Sequence, residues 1–350
     1  MKNNNIILYA AILIFGVLAP FMLPAFKVQL SILCILIVLA LTWNIQGGEI
    51  GYNSFGNILF SGLGMYICAS VQVGMFFPLA EWTESGGEKT FVHSPTQFFQ
   101  GMAFGLLAAA IIPTIVAGLI GYAILGLRGH YFAICTLGLG VAAGEISGGI
   151  EIIGAGQGFT TPPFPDVGNL ESRGQFFYFL SFVVLVLTFV AVKSVYSTRF
   201  RLVLNAIRDN EDKAEAMGIQ TMKYKIIGWM ISAFFCGLAG GIMGGLVGYI
   251  DSTDVAFDGR EMGVFMVLMA ILGGKGTLWG PVIGATLFHL FKEGFWTYFL
   301  GWQYVALGVL IVVIVIYFPE GLMGWLREKY PEKFGEVVDE ADRKAQVELK

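Results

Sequence analysis

Long apolar runs without a charged residue constrain this chain more than any other feature of its sequence. Two of them read SFVVLVLTFVAV at 181–192 and YVALGVLIVVIVIYF at 304–318. A helix needs about 20 apolar residues to cross the hydrocarbon core of a bilayer, which is about 30 Å thick. Neither run alternates apolar with polar residues, as the strands of a membrane β-barrel do. The runs therefore predict membrane-spanning helices.

Composition extends this prediction to most of the chain. Of its 350 residues, 56% are hydrophobic and 13% are charged, whereas soluble domains carry about 25% charged residues. We predict an all-α polytopic membrane protein with a transmembrane domain at 1–325 and a polar cytoplasmic tail at 326–350. About ten transmembrane helices are expected, at 6–26, 28–46, 55–78, 98–126, 132–150, 175–192, 226–250, 261–273, 281–297 and 303–319. The eighth is the shortest of them.

The distribution of lysine and arginine predicts the orientation, because cytoplasmic loops are enriched in these residues. The segment 199–222 and its flanks hold a cluster of bases: Lys193, Arg199, Arg201, Arg208, Lys213, Lys223 and Lys225. The loops at 79–97 and 151–174 are instead mainly acidic. We expect the charged segment and both termini in the cytoplasm and these two loops outside. The first apolar run is long and lacks a clear A-x-A site, so we expect it to be retained rather than removed as a secretory signal.

Residues that usually hold metals or perform catalysis are few and scattered. The four cysteines all lie in predicted spans and form no C-x-x-C pair, and the three histidines lack metal-binding spacing. The segment GGKGT at 273–277 lacks the leading glycine of a phosphate-binding loop and the Ser/Thr directly after its lysine. We expect no metal, no cofactor, no nucleic-acid partner and no ATP hydrolysis by this chain itself.

Glycine recurs at four-residue spacing in the fifth and seventh predicted spans and at the start of the ninth. The three sets are Gly140, Gly144 and Gly148; Gly237, Gly241 and Gly245 beside Gly240, Gly244 and Gly248; and Gly276, Gly280 and Gly284. In a bilayer such faces let helix backbones approach closely, which favours a packing role. They are also compatible with helices that slide or unwind around a substrate path.

Two glycine-rich segments predict breaks in the helices near a membrane face, GGEIGYNSFGN at 47–57 and ILGGKGTLWGP at 271–281. Residues there are expected either to satisfy the exposed backbone or to line a translocation path, and the path candidates are Ser54, Gly56, Asn57, Gly274, Thr277 and Trp279. Glu145 is a further candidate, because a charge at the bilayer centre costs about 2.5 to 3.5 kcal/mol and usually faces a cavity or a partner. The alternative is that Glu145 lies close enough to the outer surface to reach water.

The stretch RFRLVLNAIRDNEDKAEAMGIQTM at 199–222 is the one long charged segment between two spans. Its first part has apolar residues at helical spacing, which predicts a short amphipathic helix. A second helix is predicted over 211–217, with Asn210 as its N-cap, acidic residues in its first turn and Gly218 as the left-handed residue after its end. Such a capped helix either receives force from a soluble protein or connects the spans in solvent.

Four motifs carry a resemblance to a known family. AIRDNEDKAEAMGIQTMKYKIIGWMISAFFCGLAGGI resembles the cytoplasmic segment and following helix of the permeases of bacterial branched-chain amino acid ABC importers, of the LivM type. GYNSFGNILFSGLGMY at 51–66, LRGHYFAICTLGLG at 127–140 and ILGGKGTLWGPVIGA at 271–285 resemble three further motifs of that family. The motifs recur in order across about residues 40–290.

The resemblance implies an ABC importer permease bundle in the bacterial cytoplasmic (inner) membrane. The implied partners are a second permease subunit of the LivH type, two ABC ATPase subunits of the LivG and LivF type, a periplasmic or lipid-anchored solute-binding protein, and an amino acid substrate. Glu215, Ala216 and Gly218 match the family's E-A-x-G coupling motif and, with Asn210, would contact the ATPase. The motif at 127–140 adds Thr136 to the translocation path.

Two departures from the family pattern bear on the solute. The family commonly has Glu directly after T-L-x-x-x, where this chain has Val141 and places Glu145 one turn later. The outer-loop T-G-G-x-x-G is altered to IGAGQGFTTPPFP at 153–165. Branched-chain or related amino acids are the expected solutes, and urea or short amides are the alternative within the class.

Two other classes of function are compatible with a glycine-rich polytopic chain. An ion-coupled secondary transporter would be expected to carry paired intramembrane charges, whereas Glu145 has no evident basic partner in the sequence apart from Lys292, which lies next to Glu293. A membrane-embedded enzyme would need Asp, His or Ser groups converging at one depth, and the sequence does not show them.

Overall fold

The computed structural model describes residues 2–86, 91–165, 171–298 and 320–329, together with isolated positions between 302 and 318. The described part is mainly helical. In chain order its α-helices are α1 Lys2–Met22, α2 Lys27–Asn44, α3 Asn57–Gly74, α4 Leu79–Glu84, α5 Pro95–Ile124, α6 His130–Gly148, α7 Glu171–Ser197, α8 Arg199–Asp209, α9 Glu211–Ala216, α10 Thr221–Val247, α11 Val264–Gly273, α12 Gly280–Tyr298 and α13 Gly321–Lys329.

Short turns and one small ribbon join these helices. Wider π-helical turns lie at Ile45–Ile50, Ser252–Ala256 and Gly259–Gly263, and 3₁₀ turns lie at Pro24–Phe26, Glu151–Ile153 and Ala155–Gln157. Strand β1, Phe159–Thr160, pairs antiparallel with β2, Tyr249–Ile250.

Six helical segments of the described part are long and apolar enough to cross a membrane. They are Pro24–Ile50, Asn57–Gly74, Pro95–Ile124, His130–Gly148, Arg173–Ser197 and Thr221–Val247. They correspond to the second to seventh predicted spans. Two shorter apolar helices occupy Tyr9–Met22 and Val264–Gly273. The chain is therefore a multi-pass helical membrane protein, with six clear candidate spans where the sequence predicts about ten.

The predicted eighth span is shorter in the structure than a membrane crossing requires. Helix α11 has 10 residues, about 15 Å at 1.5 Å per residue, which is about half of the hydrocarbon thickness. The backbone just before it is a π-helical turn rather than a continuous α-helix. The predicted tenth span at 303–319 lies mostly outside the described residues, as does the tail beyond 329.

The centre of the bundle is a close contact of α10 with α3 and α5. A Cβ added to Gly240 would overlap the carbonyl oxygen of Ser61 in α3, and one added to Gly237 would overlap the carbonyl oxygen of Ala109 in α5. Only glycine permits backbones to approach this closely. The packing interpretation of the glycine repeat is therefore confirmed for α10. On the other side of the bundle, α2 packs against α7, α11 and α12.

The two ends of the bundle are chemically different. Helix α10 starts beside α9, at what we call the charged end, and finishes beside β2, at the ribbon end. At the ribbon end the Trp82 indole donates a hydrogen bond to the carbonyl oxygen of Thr160 at 2.9 Å. The Trp82 ring also packs with Phe77 and His93, at centroid separations of 6.3 and 5.5 Å. Aromatic packing thus dominates there, whereas ion pairs dominate the charged end.

Candidate functional site

The charged segment folds as two short helices, α8 and α9, joined at Asn210. The Asn210 side chain accepts a hydrogen bond from the backbone N–H of Lys213 at 2.9 Å. Gly218 has a φ of +85°, the left-handed conformation that glycine adopts without strain. The structure confirms the predicted N-cap and the predicted left-handed residue, and α9 ends at Ala216, one residue earlier than expected.

Both helices turn one face to the bundle and the other outward. Leu204 and Ile207 of α8 are buried, as the amphipathic pattern predicts. In α9 only Ala214 is buried. The residues that match the coupling motif, Glu215, Ala216 and Gly218, are all exposed. The segment therefore displays this motif on a surface at the charged end.

Glu211, the first residue of α9, anchors that helix to the bundle. Its Oε1 lies 2.6 Å from the Nζ of Lys225 in α10. Its Oε2 accepts a hydrogen bond from the Tyr52 hydroxyl and lies 3.3 Å from the Nε of Arg128. Lys225 is 1% exposed and donates also to the carbonyl oxygen of Leu125, at 2.6 Å. Contacts through one carboxylate and one ammonium thus join α9 to α10, to the end of α5, to the α5–α6 connection and to the segment after α2.

These contacts fix the charge state of the anchor. Burial alone would raise the pKa of Glu211, but hydrogen bonds from Lys225 and Tyr52 and the charges of Lys225 and Arg128 outweigh burial and hold the pKa below its ordinary value. Burial, and then the hydrogen bond and charge of Glu211, raise the pKa of Tyr52 well above its ordinary value. Glu211 is therefore an ionised acceptor and Tyr52 a neutral donor.

The sequence predicts Glu211 only as a complement to the helix dipole and gives it no partner. The feature that points to a partner is Lys225, a base at the start of a long apolar helix, because ionisable groups in such helices are usually paired.

A second buried ion pair joins α8 to the chain after α2. Glu49 is fully buried, and its Oε2 lies 3.0 Å from the Nε of Arg201. Arg201 also packs its guanidinium on the Tyr196 ring, at 4.5 Å from the centroid. Glu49 and Arg201 are 152 residues apart in the sequence, and no local pattern predicts that they pair.

The two predicted helix breaks, at 47–57 and 271–281, meet at the charged end. Asn44 donates to the carbonyl oxygen of Thr277 at 2.9 Å and accepts from the backbone N–H of Gly276 at 2.8 Å. Arg201 donates to the carbonyl oxygen of Gly276 at 3.2 Å. Side chains of α2 and α8 thus satisfy the backbone groups that the second break exposes.

Four predicted path residues come together where α3 begins against α6. The backbone N–H of Phe55 donates to the Oγ1 of Thr136 at 3.2 Å, and a Cβ added to Gly56 would lie 3.0 Å from the Cβ of Thr136. Ser54, Asn57 and Thr136 are each at most 1% exposed. We call these four residues, Ser54, Gly56, Asn57 and Thr136, the α3–α6 cluster.

Two side-chain amides of the segment 46–57 are buried without hydrogen-bond partners among the described residues. They are the side chains of Asn57, at 1% exposure, and Gln46, at 0%. Buried polar groups are nearly always paired in proteins. Both amides therefore remain available to a polar ligand or to water.

The path candidates of the second break lie apart from the α3–α6 cluster. The Thr277 hydroxyl donates to the carbonyl oxygen of Gly274 at 2.8 Å and accepts from the backbone N–H of Gly280 at 2.9 Å, which closes the turn at the start of α12. Trp279 stacks on Tyr9 of α1, with 5.9 Å between ring centroids. Thr277 is thus held by a local turn and Trp279 by packing.

Glu145 also lies apart from the cluster, on the exposed face of α6. It is nine residues from Thr136, which at about 100° per residue places the two on opposite sides of the helix. Helix α6 ends at Gly148, within one turn of Glu145. This position at the ribbon end supports the alternative in which the carboxylate reaches water.

Metal-binding clusters are not found in the part of the chain that the structure describes. No group of three or more His, Cys, Asp or Glu side chains converges in these ranges.

Comparison with known proteins points to one family. The sequence pattern of the family described as branched-chain amino acid transport system / permease component matches residues 28–317. The LivM permease proteins of the high-affinity branched-chain amino acid transport systems of Salmonella typhimurium and Escherichia coli are 24% and 26% identical to this chain, each over 94% of the chain and 77% of the relative. The guanosine ABC transporter permease protein NupQ of Bacillus subtilis is 30% identical over 39% of the chain and 42% of its own length. No solved structure matches the chain.

Proposed function

The chain belongs to the family of branched-chain amino acid transport permease components, and we propose that it forms half of the membrane path of an ATP-driven importer. A second permease subunit of the LivH type would form the other half. Two ABC ATPase subunits of the LivG and LivF type would supply the energy, and a periplasmic or lipid-anchored binding protein would deliver an amino acid.

The observation that carries the ATP-driven mechanism is the geometry of α9. It is a short helix capped at both ends, with the coupling motif on its exposed side and a buried ion pair behind it. A solvated connector would not need an anchor to a lysine that is 1% exposed. A helix that receives force does, because force is transmitted only through a contact that does not yield.

In the proposed mechanism the ATPase groove holds Glu215, Ala216 and Gly218, with Asn210 fixing the orientation of the helix. Closure of the ATPase dimer on ATP displaces α9. The Glu211–Lys225 pair carries that displacement into α10. Because α10 is packed backbone to backbone on α3 and α5, the three helices tilt together and change which side of the membrane the cavity faces.

For the solute path we favour the α3–α6 cluster over the other candidates. Its residues converge, they are buried in this conformation, and Asn57 is a polar side chain without a partner among the described residues. Gly274 and Thr277 support a turn in this conformation, and Trp279 packs on α1. Glu145 is assigned to the ribbon end, where it would face water, the partner permease or the binding protein.

The proposed solute is a branched-chain or related amino acid, because the two relatives that match 94% of this chain are named for branched-chain amino acid transport. The partial similarity to a guanosine permease makes a nucleoside the alternative to test. The proposed location is the cytoplasmic membrane of a bacterium, with the charged end and both termini in the cytoplasm, because bases concentrate at the charged end.

The test is ATP hydrolysis in liposomes that contain this chain, its partner permease and its ATPase pair, with and without leucine-loaded binding protein. Stimulation by the loaded binding protein is expected for the wild type. It should be lost in Glu215→Ala and in Gly218→Val, because the first removes the exposed carboxylate and the second cannot adopt a φ of +85° without strain. Lys213→Ala is the matched control, since Lys213 is an exposed residue of the same helix.

Three results would separate the alternatives. Failure of the ATPase subunits to associate with the wild-type chain would refute the importer and favour an ion-coupled carrier. Association with stimulation by guanosine but not leucine would keep the class and change the solute. Equal stimulation of Glu215→Ala, Gly218→Val and the wild type would refute the role of α9.

A further inference from the structure

A positively charged pocket lies at the ribbon end, between the starts of α2 and α7 and the end of α10. Its volume is about 430 Å³, and Lys27 and Arg173 line it together with Pro24, Val28, Gly174 and Leu246. Bases are unexpected at this end, because the positive-inside bias places them at the opposite, charged end. The presence of two bases at the ribbon end therefore requires a local explanation.

Lys27 is the more unusual of the two bases because its aliphatic stem is buried while its ammonium has no counter-charge among the described residues. It is 8% exposed, and among the described residues its ammonium has neither a hydrogen-bond acceptor nor an ion-pair partner. Its aliphatic stem passes over Gly174, where an added Cβ would come within 3.2 Å of the Lys27 Cβ. The glycine thus leaves room for the stem of the lysine to lie along the pocket wall.

Arg173 adds further donors to the same pocket. Arg173 donates to the carbonyl oxygen of Leu246 at 3.1 Å, which fixes the guanidinium in the pocket and leaves other N–H groups for a second acceptor.

We propose that this pocket binds the phosphate group of a membrane phospholipid. Two basic side chains that line one pocket match a phosphate, which accepts several charge-assisted hydrogen bonds at once. The pocket lies at the end of two spans, at the depth of lipid headgroups. Its rim carries exposed apolar side chains, Leu23 at 44%, Phe26 at 53% and Val28 at 45%. An apolar rim does not stabilise a free anion, whereas the acyl chains of a lipid pack against it.

The bound phosphate would join α2, α7 and α10 at the ribbon end. The same three helices contribute to the polar contacts at the charged end. This site goes beyond the proposed transport function and stands on its own residues. Only the statement that bases are unexpected at the ribbon end depends on the proposed orientation.

The experiment is native mass spectrometry of the full chain in detergent, titrated with phosphatidylglycerol. The wild type should retain one tightly bound lipid, and Lys27→Gln should bind it about tenfold more weakly or worse, because one charge-assisted contact is lost. Lys27→Arg should retain binding. Lys223→Gln, which changes an exposed lysine at the charged end, should match the wild type. Thermal unfolding of each variant, without added lipid, verifies that it is folded.

Two results would overturn the proposal. Equal lipid retention by folded Lys27→Gln and by the wild type would show that the pocket does not hold the phosphate. A parallel titration with inorganic phosphate distinguishes the sources of the anion. If inorganic phosphate displaces the lipid at equal concentration, the pocket is a free-anion site and the lipid assignment is wrong.

Discussion

The two halves of α10 are held in place by different physical interactions. At the charged end, Lys225 is held by an ion pair with Glu211 and a hydrogen bond to Leu125, each at 2.6 Å. Nearer the ribbon end, Gly237 and Gly240 place the backbone of α10 directly on that of α5 and α3. Polar contacts of fixed direction hold one half, and steric contact holds the other.

This difference between the two halves of α10 indicates which part of the molecule can move. Backbone packing through glycine leaves no space for α10 to shift against its neighbours, because packed interiors deform little. Ion pairs and hydrogen bonds can instead exchange one discrete partner for another. Motion is therefore expected to begin at the charged end and to carry the glycine-packed helices as a unit.

The largest expected loss of stability comes from breaking the ion pair in the polar half of α10. Lys225→Met leaves Glu211 as a largely buried charge without its main partner, and removing one member of a buried ion pair costs about 3 to 5 kcal/mol. Thermal or denaturant unfolding in detergent measures the loss. Lys223→Met, two residues away on the exposed face, should stay within about 0.5 kcal/mol of the wild type. If both variants lose the same stability, the pair does not anchor α9.

A smaller loss of stability is expected from a substitution in the glycine-packed half of α10. Gly240→Ala forces a methyl group onto the Ser61 carbonyl oxygen, and overpacking of this kind costs about 1 to 3 kcal/mol. Gly138→Ala is the matched control, because nothing lies within 4 Å of a Cβ at Gly138 in α6, and it should be neutral or slightly stabilising. Unfolding in detergent compares them. Similar losses in both would mean that helix propensity, rather than close approach, explains the glycines.

Removing the cap of α9 should have a local effect of about 1 kcal/mol. Asn210→Ala deletes the acceptor of the Lys213 N–H, and an N-cap asparagine contributes about that amount. Amide hydrogen exchange over 211–217 should accelerate about fivefold, which corresponds to about 1 kcal/mol. Asn210→Ser keeps a capping oxygen and should exchange like the wild type. Unchanged exchange in Asn210→Ala would show that the Glu211 anchor alone orders α9.

The smallest expected effect is a pH dependence of the polar half. Because the folded-state pKa of Glu211 lies below its ordinary value of 4.5, its contribution to stability is complete above about pH 4.5 and is lost as the pH falls through the folded-state pKa. The stability difference between the wild type and Glu211→Gln should therefore be constant near neutral pH and shrink in acid. Unfolding measured over a pH series tests this. A difference that grows in acid contradicts the assigned ion pair.

Much of the charged segment could be predicted from the sequence because its structure is local. Asn210 caps an N–H three residues away, and Gly218 ends the helix through its own backbone conformation, so residue type and spacing suffice. The spans between 28 and 250 were predictable for a similar reason, since a run of apolar residues either is or is not long enough to cross a bilayer. The glycine faces of α10 follow from helical periodicity.

Only the tertiary structure decided which groups meet. Glu211 pairs with a lysine 14 residues away, and Glu49 with an arginine 152 residues away. It also decided that Thr136 joins Ser54, Gly56 and Asn57, while Glu145 lies on the opposite face of α6. Such contacts depend on how helices pack around one another, and hydropathy does not encode this because lipid-facing and helix-facing residues are equally apolar. The sequence alone determined a multi-pass helical permease with a capped helix at one end, and the packing determined how that helix is anchored.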